Sequence, residues 1–234
     1  MKHLYPIFLV LLALLTVPCQ TTAQDLGNKV SEANLNNPDD VLLMAPPRNI
    51  NQKAEGSPYI DDTFSPAQVN NLEKTSLMRY NAAQDLMEVM QDDGSAMVLS
   101  KAIRYRVALK DGSGKVYENH VFLEDGEKKN GYFIPLGSVG KDKVLYKKEF
   151  IKFVKGQLAK SSLEQDIPPR FERTKDRFYV NEGANGDLVE LPTSKNVFIK
   201  AFPEKNLKSF FKKHRPDLKS PEGLKKVLEH YYGQ

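Results

Sequence analysis

The chain has 234 residues, with 34 Lys and Arg against 30 Asp and Glu, a net charge of +4, one cysteine and no tryptophan. A single cysteine excludes an intrachain disulfide and any thiolate cluster for a metal. The net charge conceals an asymmetry: residues 25–100 hold 5 basic and 12 acidic side chains, residues 101–234 hold 28 and 18. The basic character therefore belongs to the second part of the chain.

Residues 1–23 read as a signal peptide. Lys2 supplies a positive start, "LYPIFLVLLALLTV" an apolar core, and Thr21 and Ala23 the small residues before a cut between Ala23 and Gln24. That core is shorter than the roughly 20 residues a membrane-spanning helix needs. Cys19 opens a lipoprotein alternative, which Pro18 in front of it disfavours. Cleavage after Ala23 leaves a mature chain without cysteine, expected in a periplasm, on a cell surface or outside the cell, with no transmembrane segment.

Residues 24–57 are rich in Asn, Pro and Asp, lack apolar periodicity and read as a flexible arm. Their one apolar patch, Val41 to Met44, is long enough only to dock on something else. Residues 58–192 read as an antiparallel β-rich domain. In "IRYRVALK", Ile103, Tyr105, Val107 and Leu109 alternate with Arg104, Arg106, Ala108 and Lys110, the period of a half-buried strand. "KDGSGK", "EDGEKKNG" and the Asn185-Gly186 pair supply turns between further strands, which makes the unit a meander, either a sandwich or an open roll.

Ser76 to Gly94, "SLMRYNAAQDLMEVMQDDG", fits either an amphipathic helix or a hairpin turning near Asn81 to Asp85. Its neighbours read as strands, and propensity is a weak guide when context disagrees. Residues 193–234 change to the helical period. "FPEKNLKSFFKKHRP" carries Leu207, Phe210 and Phe211 on one stripe. "SPEGLKKVLEHYYG" begins with Ser220 as N-cap and Pro221 at the first helical position. Two helices joined through "HRPDLK" should form a hairpin packed on the sheet, giving an α+β fold.

The ordered blocks "SPYIDDTFSPAQV", "MRYNAAQDLMEV", "GYFIPLGSVGKDKVLYKKEF", "LAKSS" and "PPRF", followed by the helical tail, resemble an uncharacterised family of exported β-rich proteins from Bacteroidota-type bacteria. The similarity runs from Gly56 to the C-terminus, with Ala82-Ala83 and Leu86-Met87 departing from the family pattern. It implies a β-rich, envelope-associated protein, favours the hairpin reading of Ser76 to Gly94 and brings no activity with it.

Motifs that carry chemistry are scarce. "LKDGSGKV" lacks the first glycine of a phosphate loop and has Val116 where magnesium would need a hydroxyl, so it reads as a turn. His120 and Glu118 share a strand face and could ligate a metal or move a proton, but a solvent-facing polar row is the simpler reading and the one expected. His214 and His230 lie near helix C-termini, where an imidazole faces the dipole favourably. No catalytic, metal or cofactor residue is assigned.

The cationic segments remain. Lys147, Lys148, Lys152 and Lys155 are interleaved with Tyr146, Phe150 and Phe153, while Lys208, Lys212, Lys213 and Arg215 decorate the helix that carries Leu207 and Phe211. The plainer account is a solvated lysine face that keeps an exported protein soluble; both segments could instead hold a polyanion such as an acidic glycan or lipopolysaccharide, and export argues against nucleic acid. The expected function is a non-catalytic envelope or surface protein acting by macromolecular binding or assembly. The alternatives are a hydrolase acting on envelope glycans or peptides, and a polyanion-binding protein.

Overall fold

The computed structural model describes residues 43–44, 47, 54–70, 74–161, 163–182, 186–203 and 206–233. The signal segment with its Ala23–Gln24 cut, most of the expected arm and Asn185 lie outside them.

Turn chemistry at short intervals drives the chain into antiparallel strands. After β1 (Leu43–Met44) and β2 (Ser65–Val69), the Ser76 to Gly94 stretch forms the predicted hairpin: β3 (Thr75–Asn81) pairs with β4 (Leu86–Met90), and Asn81 faces Leu86. Asp85 closes this turn with a left-handed φ of 56°, a conformation Asp tolerates better than most residues. The side chain of Asn81 accepts the Gln84 N–H at 3.1 Å. Met78, Tyr80, Met87 and Val89 point into the core, so the methionines at 78 and 87 are buried filling.

Strand β5 (Ala96–Leu99) pairs with β4, and the chain then crosses to β6 (Arg106–Leu109) beside β2, from which a meander runs through β7 (Val116–Glu124), β8 (Glu127–Gly140) and β9 (Lys143–Lys148). Asp125 and Gly126 join β7 to β8 in a two-residue turn, both with positive φ, as the twist of a tight hairpin requires. The next elements are β10 (Ile151–Val154), β11 (Arg170–Arg173), β12 (Arg177–Val180) and β13 (Val189–Glu190). Eleven strands form one sheet in the order β1-β5-β4-β3-β2-β6-β7-β8-β9-β12-β13, and β10 and β11 stand apart as a two-stranded arm. Of the expected flexible arm, residues 43–44 pair with β5, and Glu55 exchanges backbone hydrogen bonds with Pro169 and Phe171 beside β11.

Strand β8 organises the interior. Its register against β9 shifts at Pro135–Gly137 and again at Ser138–Gly140, and Gly137 takes a φ of 121° that side chains disfavour. Its early residues Tyr132 and Ile134 fill one core with Met78, Tyr80, Val107 and Tyr117. Phe133, between them on the opposite face, packs with Phe122, Tyr146, Tyr179 and Leu188. Val139, past the bend, belongs to a third core shared with the helices.

The tail carries three helices rather than two: α1 (Lys195–Ala201), α2 (Leu207–His214) and α3 (Pro221–Tyr232). The additional α1 is too short to print a helical period, and its Val197 and Ile199 favour strands. It is held by burial of Phe198, which stacks on Phe202 at 4.6 Å. Helix α3 begins as expected, with the Ser220 hydroxyl accepting the Gly223 N–H at 3.1 Å. Leu207, Phe211, Leu224, Val227 and Leu228 are all buried, each contributing roughly 1.5–3 kcal/mol. No helix among the described residues is long and apolar enough to cross a membrane.

Candidate functional site

The sheet contains three knots of buried charge, and the fate of the lysines depends on them. In the first, Glu88 on β4 faces Arg79 on β3 directly across the ladder. Glu88 is 0% exposed, and Tyr59 and Phe64 lie against the pair it makes with Arg79. Its carboxylate lies 2.9 Å from the Arg79 guanidinium and accepts hydrogen bonds from Tyr59 Oη and Asn81 Nδ2, each at 3.1 Å. The guanidinium is held between the rings of Tyr59 at 3.7 Å and Phe64 at 4.2 Å. Burial, and then the charge of Glu88, push the Tyr59 hydroxyl up to about 12. This arrangement fastens the 59–64 segment to the sheet.

The second knot joins the hairpin turn to β9. Lys148 is 2% exposed, 2.8 Å from Asp85 Oδ1, and donates to the Tyr132 carbonyl at 3.2 Å. Its ammonium also sits 4.6 Å from the centre of the Phe133 ring. The same Asp85 accepts from Tyr80 Oη at 2.8 Å, the Tyr132 N–H at 3.1 Å and Lys101 Nζ at 3.0 Å. Loss of hydration, opposed by Asp85, lowers the Lys148 pKa. A Cβ at Gly131 would lie 2.6 Å from Lys148 Nζ and 2.7 Å from Asp85 Oδ2, so a larger residue there would displace the ends of both side chains.

In the third knot, buried Glu149 receives Tyr117 Oη at 2.9 Å, Lys147 Nζ at 3.2 Å and Lys115 Nζ at 3.3 Å. Burial alone would raise its pKa, but Lys115, Lys147 and the tyrosine hydroxyl outweigh that and lower it. Lys147 also lies 3.6 Å from Asp176. The first cationic segment is thus corrected. Lys148 is inside the protein, Lys147 is neutralised, and only Lys152 and Lys155, on and beyond β10, are exposed.

Concave and acid–base features are modest. A cleft of about 70 Å³ lies among Ile60, Asp61, Arg79, Tyr80, Lys115 and Tyr117. Small-molecule sites typically measure roughly 300–1,000 Å³. His120 Nε2 contacts Glu118 Oε2 at 3.1 Å, as the shared strand face predicts. The pair is half-buried rather than solvent-facing, because the imidazole packs 4.8 Å from the Tyr146 ring. No group of three or more His, Cys, Asp or Glu side chains suited to a metal occurs among the described residues.

The helical tail is different. Lys208, Lys212, Lys213 and Arg215 are all exposed, because Leu207 and Phe211 take the opposite face of α2 into the third core. Arg215 ends α2 in a left-handed conformation before Pro216. Helix α3 and the turn before it add Lys219, Lys225 and Lys226, which the sequence reading did not single out. Lys225 lies 3.9 Å from Glu229. For Lys208, Lys212, Lys213, Arg215, Lys219 and Lys226, no carboxylate of the described residues comes within ion-pair distance. Between the helices, Phe210 stacks on His230 at 4.2 Å and on His214 at 4.6 Å. The signal for the larger patch is its composition: residues 193–234 hold 10 basic and 4 acidic side chains, a net of +6.

Comparisons with protein-family models, with curated proteins and with solved structures found no match for this chain.

Proposed function

We propose that this is a non-catalytic, exported protein of the cell envelope or cell surface that acts by binding a macromolecule, and that its partner is an anionic glycan such as lipopolysaccharide, held on the α2–α3 face. One observation carries the reading: within the sheet, lysines 147 and 148 have carboxylates beside them, whereas on the α2–α3 face Lys208, Lys212, Lys213, Arg215, Lys219 and Lys226 face solvent without a described counter-charge. A row of exposed cations on a rigid helical pair raises the local concentration of polyanions and exchanges their counterions for fixed charge. Export rests on the leader-like residues 1–23, and the resemblance of the chain from Gly56 onward to exported envelope proteins points the same way.

Binding of the protein to dextran sulfate, measured at increasing salt, tests the reading. The wild type should bind at low salt and lose affinity steeply as salt rises. Replacing Lys208, Lys212, Lys213 and Arg215 together by Gln should weaken binding at least tenfold and flatten the salt dependence. Equal binding by the variant, or binding abolished instead by changes at Lys152 and Lys155, would overturn the assignment. Capture of an envelope protein with the variant as efficiently as with the wild type would show that assembly, rather than glycan binding, is its role.

A further inference from the structure

His214, Phe210 and His230 form a stack in the middle of the cationic face. The His230 ring lies nearly parallel to Phe210, 13° between planes at 4.2 Å, and His214 leans on the same ring at 4.6 Å and 35°. One phenyl ring therefore ties together an imidazole from α2 and one from α3. His214 is exposed and His230 half-exposed, so a ligand on the surface can reach both.

The charges that act on His214 are positive. Lys213 on α2 and Lys226 on α3 act on His214, as does His230 itself. Arg215 follows His214 directly and is exposed. The nearest acid in sequence to His230 is Glu229, which is turned to Lys225 at 3.9 Å. Asp217, in the turn between the helices, accepts the Lys219 N–H at 2.9 Å.

From this geometry we infer that His214 and His230 are ligand-contacting residues of the anionic-glycan surface, and that His214 takes up a proton when sulfate or phosphate groups of the glycan settle between Lys213 and Lys226. The inference rests on the α2–α3 reading above. In the free protein, lost hydration and then the charges of Lys213, Lys226 and His230 lower the His214 pKa. A bound anion reverses the sign of that local field and favours imidazolium, which the Phe210 face also stabilises.

The sign follows from linkage. A group whose pKa is higher in the complex than in the free protein strengthens binding as the pH falls. The gain is lost again as the pH rises through the pKa of the complex. Each proton taken up can change affinity by at most about tenfold per pH unit. Affinity for the glycan should therefore be greatest in a mildly acidic setting and weaken towards alkaline pH.

Dextran sulfate is a suitable probe because its sulfates stay ionised throughout, so any pH dependence belongs to the protein. Its affinity is measured from about pH 7.5 to about pH 5.5 at constant ionic strength, around the ordinary histidine pKa. The wild type should bind several-fold tighter at the acid end. The double variant His214→Gln, His230→Gln should lose the tighter binding at the acid end and show little pH dependence. NMR titration of the wild type should show the His214 pKa rising on addition of dextran sulfate. A flat wild-type profile, or a double variant with the full wild-type pH dependence, would sink the proton coupling while leaving the cationic face standing. A wild type that binds at no pH would remove the face and the coupling together.

Discussion

Lys148 in the sheet is 2% exposed and lies 2.8 Å from Asp85, whereas Lys212 and Lys213 on α2 stand in solvent with no described carboxylate within ion-pair distance. Both sites are rich in lysine and aromatic side chains, yet they do opposite work. Burying an ammonium is tolerable only where a carboxylate and further hydrogen bonds meet it, and Asp85 and the Tyr132 carbonyl do so. The tail keeps its cations on the outer faces of helices whose inner faces fill a core, so they need no partner to be stable. Charge inside this protein is a fastening; charge on its tail is free to act on something else.

The strongest way to break that contrast is to remove the acid and leave the buried lysine. Asp85→Asn retains the left-handed turn geometry and most of the size but strands the ammonium of Lys148. Denaturant unfolding should show a loss of about 3–5 kcal/mol, the range for an uncompensated buried charge. Lys148→Met should cost much less, because Asp85 retains Lys101, Tyr80 and the Tyr132 N–H. Equal losses in the two variants would mean that the pair, rather than the desolvated lysine, dominates.

How much of this could be read from the chain depends on the range of the interaction. The β3–β4 hairpin, the Asp125–Gly126 turn and the Ser220 cap are local, so each is visible in a few adjacent residues. The knots are not local: Glu88 needs Tyr59 and Arg79, and Lys148 needs Asp85, Tyr132 and the space left by Gly131. The Lys147-Lys148 pair looked like surface because lysine usually is. Adjacent residues of a strand point to opposite faces, however, and a strand covered on both sides must enclose at least one of them. Strand β9 is such a strand, a fact that only the packing of Tyr146 and Leu145 into different cores reveals. The basic tail was legible as amphipathic composition, but the Phe210 stack needed α2 and α3 to meet.

Glu149 gives the contrast a pH dependence. Its folded pKa lies below the ordinary glutamate value of 4.5, so its contribution is fully present above 4.5 and is lost as the pH falls through the lower folded value. Glu149→Gln should cost about 1.5–3 kcal/mol at neutral pH, the range for hydrogen bonds to a charged group. The gap to the wild type should narrow in acid, where both proteins carry a neutral side chain at this position. A gap that stays constant from neutral pH into acid would show that charge has no part in this knot.

The smallest effect is the most telling for the tail. Replacing Lys208, Lys212, Lys213 and Arg215 by Gln removes four charges, as many as sit in the Glu149 knot with its three cations Lys115, Lys147 and Arg173. Even so, stability should change by no more than about 0.5 kcal/mol per site, the usual range for surface substitutions. The sign should favour the variant at low salt. Lys208 and Lys212 are spaced i, i+4 and Lys212 and Arg215 i, i+3 on or just past one helix, so like charges repel across each turn. Thermal unfolding at low and high salt separates the two contributions: the wild type should gain stability with added salt, and the variant should gain less. If the variant instead lost several kcal/mol, these cations would be holding the helices in place, and the division between a fastened interior and a free surface would fail on the side where binding is proposed.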